Sequence, residues 1–317
     1  MKRVLVTGAS GFIGLCSLPL LLGCGYQVHA VSPRARIHIV SPRFKNENGE
    51  EVTWHQADLM EPTQTGRLVA AVQPTHLLHL AGYVAPGKLA TAKENFLWVQ
   101  ASLELLRRFG ENGGQRVTMA GSAYEYDWRY GYCSEALTPT VPATYYGKCK
   151  LALAHLLEAY AAQTAVSHAW ARIFFAYGPR EHSKRLVASV IRSLLLDEPA
   201  RCSHGRQIRD YLYVEDVAGA LVALLDSNVT GSVNVASGQP VTVREIVSHI
   251  AGKLGKEDLV EFGAVPSDPH DAALVVGDVT RLCGEVHWQP AYDLDRGLDA
   301  TIAWWAAELQ TGARRPA

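Results

Sequence analysis

Residues 2–14 read KRVLVTGASGFIG, and this stretch decides the fold of the chain. An apolar run is followed by Gly8, Gly11 and Gly14 at three-residue spacing, and then by a helical apolar pattern. Glycines let the backbone approach a pyrophosphate, while the helix N-terminus supplies free N–H groups and the positive end of a dipole. The stretch therefore predicts a strand, a tight turn and a helix that hold a dinucleotide. We expect these glycines to contact it together with Phe12 and Ile13, which begin the helix.

Strand and helix patterns alternate from this turn through the first half of the chain. Short β-branched runs predict strands at residues 3–7, 27–32, 52–57, 76–81, 116–120 and 168–175. Helical spacing between them predicts helices at residues 12–23, 66–72, 93–109 and 146–162. Parallel strands need crossover connections, so this alternation favours an α/β fold with a doubly wound, Rossmann-type parallel sheet.

The pattern changes after Pro179. Helices are predicted at residues 182–196, 215–226 and 295–309, extended chain at 201–214 and a strand at 232–236. Thr242 with Glu245 forms a capping box that begins a helix ending near residue 254. We expect residues 1–179 to form the dinucleotide-binding domain and residues 180–317 mainly a smaller C-terminal α/β substrate-binding part. Segments at about 209–240 are expected to return to the first domain.

The amino-acid composition limits the classes of partner that we expect for this protein. The chain has 317 residues, 48% of them hydrophobic and 19% charged, with a formal net charge of −1. This balance gives no global attraction to nucleic acid or to an anionic membrane. No uninterrupted apolar run reaches the roughly 18 to 20 residues that span a bilayer. The six cysteines lack CxxC spacing and favour reduced thiols. We expect a cytoplasmic protein with a small-molecule partner, and neither nucleic acid nor membrane.

The histidines give no metal signal. His76 and His79 lie three residues apart on a predicted strand, so their side chains point to opposite faces. The sequence contains no HExxH motif and no clustered carboxylates. We expect no metal site.

The end of the second predicted strand bears on the choice of cofactor. A carboxylate there would bind the adenosine ribose and repel a 2′-phosphate. The chain has Ser32 and Arg34 instead, and a hydroxyl with a guanidinium suits a 2′-phosphate. This favours NADP(H) over NAD(H), with an arginine that merely covers a solvated loop as the alternative. Asp58, after the third strand, either meets the adenine or is an ordinary turn acid.

Tyr146 and Lys150 lie four residues apart in the segment TYYGKCK at residues 144–150. On a helix this spacing places both side chains on one face, about one turn apart. A nearby ammonium should lower the pKa of the tyrosine from its ordinary value of about 10. Tyr146 would then act as general acid toward a carbonyl or as base toward an alcohol. Tyr145 is the weaker candidate, because its partner at this spacing is Cys149.

Further motifs follow in order along nearly the whole chain, from residue 2 to about residue 305. They are TGASGFIG, Asp58-Leu59, His79-Leu80-Ala81-Gly82, Ala120-Gly121-Ser122, Pro139-x-x-Pro142 before YYGKCK, Arg172 leading to Tyr177-Gly178-Pro179, RDYLYVEDV at 209–217, NVASG at 234–238 and HWQP at 287–290. With Tyr146 and Lys150, this series resembles the extended short-chain dehydrogenase/reductase family, in its NAD(P)-dependent sugar-nucleotide epimerase/dehydratase group.

The resemblance implies a role for each matching residue. Ser122 would hydrogen-bond the reacting sugar oxygen alongside Tyr146, and Lys150 would also hold the nicotinamide ribose. Arg209 would meet the nucleotide diphosphate, or else form an ordinary salt bridge with Asp210 or Asp216. The remaining matches are implied cofactor contacts: Asp58, Leu59, Ala81 and Gly82. Asn95 matches a frequent helix asparagine, with a surface position as the alternative.

The chain also departs from the family pattern. Dehydratases of this group carry an Asp-Glu pair directly after the Ser/Thr, whereas Ala123 and Tyr124 follow Ser122 here. Glu125 lies one step further and would face the wrong way on an extended chain. Dehydration is therefore disfavoured. The asparagine often found before Tyr-Gly-Pro is replaced by Phe175 or Ala176. The aromatic stretch at residues 124–133 either lines a sugar site or packs under a loop.

Three functions remain. The first is an NADPH-dependent reductase of a nucleotide-diphosphate-linked 4-keto-6-deoxy sugar, which the Ser32/Arg34 strand end and the missing Asp-Glu pair favour. The second is an epimerase that oxidises and re-reduces one sugar carbon with a retained cofactor. The third is a non-catalytic dinucleotide-binding protein, against which Tyr146 and Lys150 argue. Family members often pair through two long helices, here residues 93–109 and 146–162, so a homodimer is expected from the resemblance.

Overall fold

The computed structural model describes residues 2–33, 44, 45, 47, 49–267 and 271–312. In chain order its strands are β1 (Arg3–Thr7), β2 (Gln27–Ser32), β3 (Thr53–Gln56), β4 (His76–His79), β5 (Arg116–Ser122), β6 (Tyr132–Cys133), β7 (Ser167–Ile173), β8 (Phe175–Tyr177), β9 (Ala200–Cys202), β10 (Ile208–Tyr213), β11 (Gly231–Val235), β12 (Pro240–Thr242), β13 (Val260–Phe262) and β14 (Leu274–Gly277). Its α-helices are α1 (Phe12–Gly23), α2 (Pro62–Val72), α3 (Glu94–Glu111), α4 (Tyr145–Ala162), α5 (Leu186–Leu195), α6 (Val214–Asp226), α7 (Val243–Leu254), α8 (Thr280–Gly284) and α9 (Leu294–Gly312).

A seven-stranded parallel sheet organises the first part of the chain. Its order is β11-β7-β5-β4-β1-β2-β3, with every pair parallel. The chain moves outward from β1 in one direction through β2 and β3, and in the other through β4, β5 and β7. This is the doubly wound, Rossmann-type arrangement that the sequence predicts, and it brings the ends of β1, β4 and β5 together.

Helices cover both faces of this sheet because its strands are apolar on both sides. Val4 and Val6 of β1 pack into a core with α1 and α6. Leu5, between them, packs into a second core with α2, α3 and α4. Alternate side chains of one strand thus anchor opposite layers, as the pleat requires. The layer containing α4 is the one that presents Tyr146 and Lys150.

A smaller α/β part follows β7. Strand β10 lies in a second sheet with β12, β14 and β6, and β8 also pairs with β10. Helices α5, α7 and α9 pack on one another around a third core. Strand β11 instead pairs with β7 in the large sheet. The chain therefore crosses between the two sheets more than once.

The structure differs from the predicted elements where the chain changes sheets. One strand is predicted over residues 168–175, but β7 ends at Ile173 and β8 begins at Phe175. The amide of Phe174 still donates to the Val235 carbonyl, while the next residues pair with β10. The helix predicted from residue 182 begins at Leu186. The capping box of Thr242 and Glu245 is present, as predicted.

Candidate active site

The glycine turn is packed so closely that side chains are excluded. Gly8 has a φ of +67°, and a Cβ placed on it would lie 2.8 Å from the amide nitrogen of Ala81. A Cβ on Gly14 would lie 2.2 Å from the Gly8 carbonyl oxygen. Helix α1 begins after Gly11, and no side chain caps its first N–H groups. These features fit the pyrophosphate of a dinucleotide.

A buried polar chain ties this turn to the neighbouring strand. The Thr7 hydroxyl lies 2.6 Å from His79 Nδ1, and His79 Nε2 lies 2.7 Å from the Ser102 hydroxyl on α3. The amide of Ala81 also donates to Thr7 Oγ1. Burial lowers the pKa of His79 to about 3, so its imidazole is neutral. This network is not predicted from the sequence, although the His79 motif is part of the resemblance.

The other predicted cofactor contacts lie around the same edge of the sheet. The hydroxyls of Ser32 and Ser10 are 3.4 Å apart, which places the end of β2 against the glycine turn. Arg34 lies outside the described residues. Asp58 is exposed and accepts a hydrogen bond from the Met60 amide, and Leu59 is buried. Both roles considered for Asp58 stay open.

Ser122, Tyr146 and Lys150 come together where β5 ends and α4 begins. Tyr146 is 8% exposed, and its phenol lies close enough to Ser122 for the Ser122 hydroxyl to influence its pKa. Lys150 Nζ donates to the Ala120 carbonyl at 2.7 Å and lies 6.0 Å from the centre of the Tyr146 ring. Tyr146, Lys150 and Gly82 line one cavity. The predicted trio is thus held beside the strand end that carries Ala81 and Gly82.

The ionisation of this pair differs from the expectation. Burial raises the pKa of Tyr146 to about 12, although the nearby Ser122 hydroxyl opposes the change. The expected lowering of this pKa is therefore not found in the protein alone, because burial outweighs the contributions that lower it. Burial also lowers the pKa of Lys150 to about 8. At neutral pH Tyr146 is a protonated phenol.

Neither of the two residues that follow Ser122 is acidic. Ala123 and Tyr124 occupy the two positions, and the Tyr124 ring lies edge-on to Tyr146 at 5.8 Å. Glu125 does not sit on extended chain as expected. It ends a 3-10 turn (Ala123–Glu125) that returns its carboxylate to the Ser122 amide.

Aromatic rings extend in a chain from Tyr146 to Tyr211 of β10. Tyr124 lies 4.5 Å from Trp128, Trp128 lies 6.3 Å from Phe175, and Phe175 lies 5.8 Å from Tyr211. We name the four rings the aromatic wall. Tyr124 and Trp128 belong to the stretch at residues 124–133, and both are half-buried. That stretch is thus placed beside Tyr146.

Two arginines lie close to the aromatic wall. Arg209 is buried with its guanidinium 5.5 Å from the Phe175 ring, and it pairs with Asp271 at 2.5 Å rather than with Asp210 or Asp216. Arg185 precedes α5, and its charge lowers the pKa values of Tyr146, Tyr124 and Tyr211 against their burial. Arg185 is not predicted from the sequence, since no motif contains it.

Helix α4 lines two cavities. Asn95 is 4% exposed and lines the cavity that contains Tyr146, so a surface position is excluded. The other cavity, of about 420 Å³, lies between α4 and the edge strand β11, and none of its lining residues belongs to the trio.

The described part of the chain contains neither a metal cluster nor a membrane helix. Within these residues, no three His, Cys, Asp or Glu side chains are grouped to hold a metal ion. Among the described helices, none combines the length and the apolar character that crossing a bilayer requires.

This fold and this trio define an NAD(P)-dependent oxidoreductase or epimerase of the extended short-chain dehydrogenase type. Residues 4–236 match the model of the NAD dependent epimerase/dehydratase family. The match covers most of the chain, and the protein belongs to that family.

Relatives act on nucleotide sugars in several ways. UDP-glucuronic acid decarboxylase 1 of Xenopus tropicalis is 28% identical over 98% of this chain and 73% of its own length. UDP-glucose 4-epimerase of Mycolicibacterium smegmatis is 27% identical over 97% of this chain and 100% of its own. The solved UDP-glucose 4-epimerase of Thermus thermophilus with NAD has a TM-score of 0.84 and 25% identity over 96% of this chain and 99% of its own. MoeE5 with UDP-glucose and NAD has a TM-score of 0.82 and 28% identity, covering 97% and 100%.

Proposed function

We propose that the protein is an NADPH-dependent reductase that converts a nucleotide-diphosphate-linked 4-keto-6-deoxy sugar to its alcohol. The observation that carries this proposal is the arrangement of Tyr146 and Lys150 in one cavity with Gly82, beside Ser122 at the end of β5. A phenol with a pKa of about 12 is a proton donor at neutral pH, which suits reduction of a carbonyl. Ser122, Tyr146 and Lys150 are the proposed catalytic residues.

The proposed reaction needs one hydride and one proton, and these three side chains with a reduced nicotinamide account for both. A bound reduced nicotinamide supplies the hydride to the carbonyl carbon. Tyr146 gives its proton to the carbonyl oxygen, and the Ser122 hydroxyl steadies that oxygen by a hydrogen bond. The ammonium of Lys150 stabilises the phenolate that remains until solvent returns a proton. No proton is abstracted from carbon, in agreement with Ala123 and Tyr124 at the two positions after Ser122.

The aromatic wall and the two arginines near it support a deoxy sugar linked to a diphosphate as the substrate. The aromatic wall offers apolar surface to the C–H face and methyl group of a 6-deoxy sugar. Arg185 supplies a cation near Tyr124, and Arg209 has guanidinium N–H groups beside Phe175 that bind no acceptor among the described residues. Guanidinium groups are well suited to a diphosphate.

The preference for NADPH is part of this proposal. The end of β2 carries a Ser32 hydroxyl paired with Ser10 and no carboxylate to repel a 2′-phosphate. We expect calorimetric titration to show tighter binding of NADPH than of NADH. Ser32→Asp should reverse the order, because it restores the repelling charge. An equal affinity of the original protein for both nucleotides would refute the preference.

Turnover with a defined substrate tests the reductase. NADPH absorbance at 340 nm should fall steadily when a dTDP-linked 4-keto-6-deoxyhexose is added, with one alcohol formed for each NADPH consumed. GDP-, UDP- and CDP-linked forms of the sugar then identify the nucleotide. The absence of NADPH consumption with all four would overturn the proposal.

An epimerase is the second candidate, and the relatives in complex with NAD favour it. An epimerase returns the hydride to the same carbon and consumes no cofactor, so it retains its nicotinamide. The absorption spectrum of the isolated protein and mass spectrometry of the released nucleotides decide between the two. Retained NAD together with interconversion of UDP-glucose and UDP-galactose would establish the epimerase and exclude the reductase.

We also propose that the protein is a homodimer in the cytoplasm. Helices α3 and α4 pack together and expose the apolar side chains of Phe96, Leu97 and Leu156. Sedimentation at micromolar concentration should show a dimer, and Phe96→Arg with Leu156→Arg should give a monomer. Leu137→Arg, at a loop position that is 84% exposed, is the matched control and should stay dimeric. A monomeric original protein would refute the dimer.

The six cysteines are free thiols, which supports a reducing compartment.

A further inference from the structure

Glu125 is a fully buried carboxylate outside the proposed trio. Its relative exposure is 0%, and it accepts hydrogen bonds from the Ser122 amide at 2.7 Å, from Trp170 Nε1 at 2.9 Å and from Arg172 Nε at 2.8 Å. Arg172 is itself buried and donates to the Tyr126 hydroxyl. A buried ion pair is tolerated when both charges are saturated in this way. Removing either partner leaves an uncompensated buried charge.

The backbone of β5 is shaped to admit this group. A Cβ on Gly121 would lie 2.2 Å from Trp170 Nε1 and 2.7 Å from Glu125 Oε1. Because position 121 has no side chain, the carboxylate reaches the Ser122 amide from beneath. The Ser122 hydroxyl in turn accepts from the Tyr124 amide. The orientation of Ser122 is therefore fixed at both its backbone and its side chain.

The same carboxylate is a charge beneath the reacting pair. Lys150 Nζ lies 6.0 Å from the centre of the Trp170 ring, whose indole N–H donates to Glu125. The Glu125 charge raises the pKa values of both Lys150 and Tyr146. The other groups facing Tyr146 are Ser122, Tyr124 and Arg185. Lys150 also faces His79, which is neutral, on β4.

We propose that Glu125 is the positioning residue of this site: it anchors Ser122 from below and places a buried negative charge near Lys150. Trp170 and Arg172 fix its carboxylate. Glu125 touches neither sugar nor nicotinamide in this arrangement, so it acts through Ser122 and Lys150. The inference rests on the proposed catalytic roles of Ser122, Tyr146 and Lys150.

Two substitutions of Glu125 test separately whether it anchors Ser122 and whether its charge acts on Lys150. Glu125→Gln removes the charge at almost constant size, so Lys150 should lose its proton at a pH about one unit lower. Glu125→Asp keeps the charge but shortens the side chain by one methylene. It should leave the titration of Lys150 in place and lower kcat about ten-fold with little change in KM for the sugar.

The readout for Lys150 needs no substrate. Competitive acetylation of the intact protein across a pH series, followed by mass spectrometry, gives the apparent pKa of this one lysine. Turnover of NADPH with a dTDP-linked 4-keto-6-deoxyhexose gives kcat and KM across the same series. In Glu125→Gln the alkaline limb of kcat should move to lower pH together with the titration of Lys150.

Two control variants distinguish a loss of positioning from a loss of folding. Asp216→Asn removes another buried carboxylate that accepts two backbone amides, and it should leave the Lys150 titration unchanged. Gly121→Ala keeps every charge but obstructs the contact, so kcat should fall as in Glu125→Asp; this variant remains informative if Glu125→Gln does not fold. Circular dichroism checks the fold of each protein.

The outcomes distinguish the two proposals. If folded Glu125→Gln titrates Lys150 as the original protein does, the charge role is overturned. An unchanged kcat in Glu125→Asp overturns the anchoring role. If Tyr146→Phe abolishes turnover while all Glu125 variants behave as the original, only the positioning inference fails. Unimpaired turnover in Tyr146→Phe overturns the catalytic trio itself.

Discussion

Burial, rather than the nearest charge, sets the ionisation of Tyr146 and Lys150. The spacing of Tyr146 and Lys150 predicts their common helix face, and the structure places both in one cavity. The spacing does not predict the direction of the Tyr146 pKa, because that depends on how many atoms enclose the phenol. It also does not reveal that Lys150 donates to Ala120. Spacing along one helix carries no information on contacts from another strand.

Tyr146→Phe tests the proton donor. A positioned general acid contributes about 100-fold to 10,000-fold in rate, so kcat for NADPH-dependent turnover should fall by at least about 100-fold. The affinity for NADPH, measured by fluorescence titration, should change little. Tyr145→Phe is the control, since this neighbouring ring is 41% exposed, and its kcat should match that of the original protein. Equal losses in the two variants would contradict the assignment.

Glu181 should make stability depend on pH. It is 5% exposed, burial raises its pKa to about 8, and its Oε2 has no hydrogen-bond partner among the described residues. The pKa of Glu181 is higher in the folded protein than in the unfolded protein. Protonated Glu181 therefore stabilises the folded protein at low pH, and this stabilisation is lost as the pH rises toward 8.

Glu181→Gln should therefore raise the midpoint of thermal unfolding at pH 8 to 9 and change it little at pH 5. A gain of about 1 to 3 kcal/mol is expected at the higher pH, since a buried charge is replaced by an amide. Calorimetry at both pH values measures the change. Glu308→Gln, at an exposed position of α9, should show no pH-dependent effect. A stabilisation that is equal at pH 5 and pH 9 would contradict the explanation.

At the scale of elements, the long periodic segments are predictable and the short ones are not. The bounds of β1, β2 and α1 agree with the patterns in the sequence. Strands β6, β9, β12 and β13 have two or three residues each, too few for alternation to be recognised. Their positions depend on partners distant in sequence, such as β14 for β6.

Gly14→Ala tests the turn that begins α1. A Cβ there would lie 2.2 Å from the Gly8 carbonyl oxygen, so the turn must open. We expect the dissociation constant for NADPH to rise at least about ten-fold, which corresponds to about 1.4 kcal/mol. The matched control is Gly23→Ala in the same helix, where the added methyl meets nothing within 4 Å. Binding there should be unchanged, with unfolding shifted to higher temperature because alanine favours the helix. Equal effects at the two positions would refute the packing argument.

At the scale of the whole molecule, the two parts are interwoven by the path of the chain. Strand β11 lies at the edge of the large sheet, while β10 and β12 on either side of it in sequence lie in the second sheet. Asp210 of β10 accepts from the amides of Ser237 and Gly238, just after β11. The boundary at residue 179 stays a prediction. The sequence predicts that segments at about 209–240 return to the first domain; β11 pairs with β7 in the large sheet, whereas β10 lies in the second sheet.

This interweaving predicts cooperative unfolding. Arg116 of β5 donates to the carbonyls of Leu224 and Val229, so the early strands depend on residues that come more than 100 positions later. Calorimetry should show one transition, with far-ultraviolet and near-ultraviolet dichroism following the same curve. The addition of NADPH should move the whole transition to higher temperature. Two separated transitions would show that the parts unfold independently.

The position of Trp128 in the aromatic wall has a practical consequence. Its indole donates to the Ala123 carbonyl and lies tilted against Tyr124, so under the proposed function a bound sugar should alter its surroundings. Indole emission responds to such changes, and the difference between the original protein and Trp128→Phe isolates this one fluorophore. Unlabelled nucleotide sugars can thus be screened by light alone, before any product has been identified.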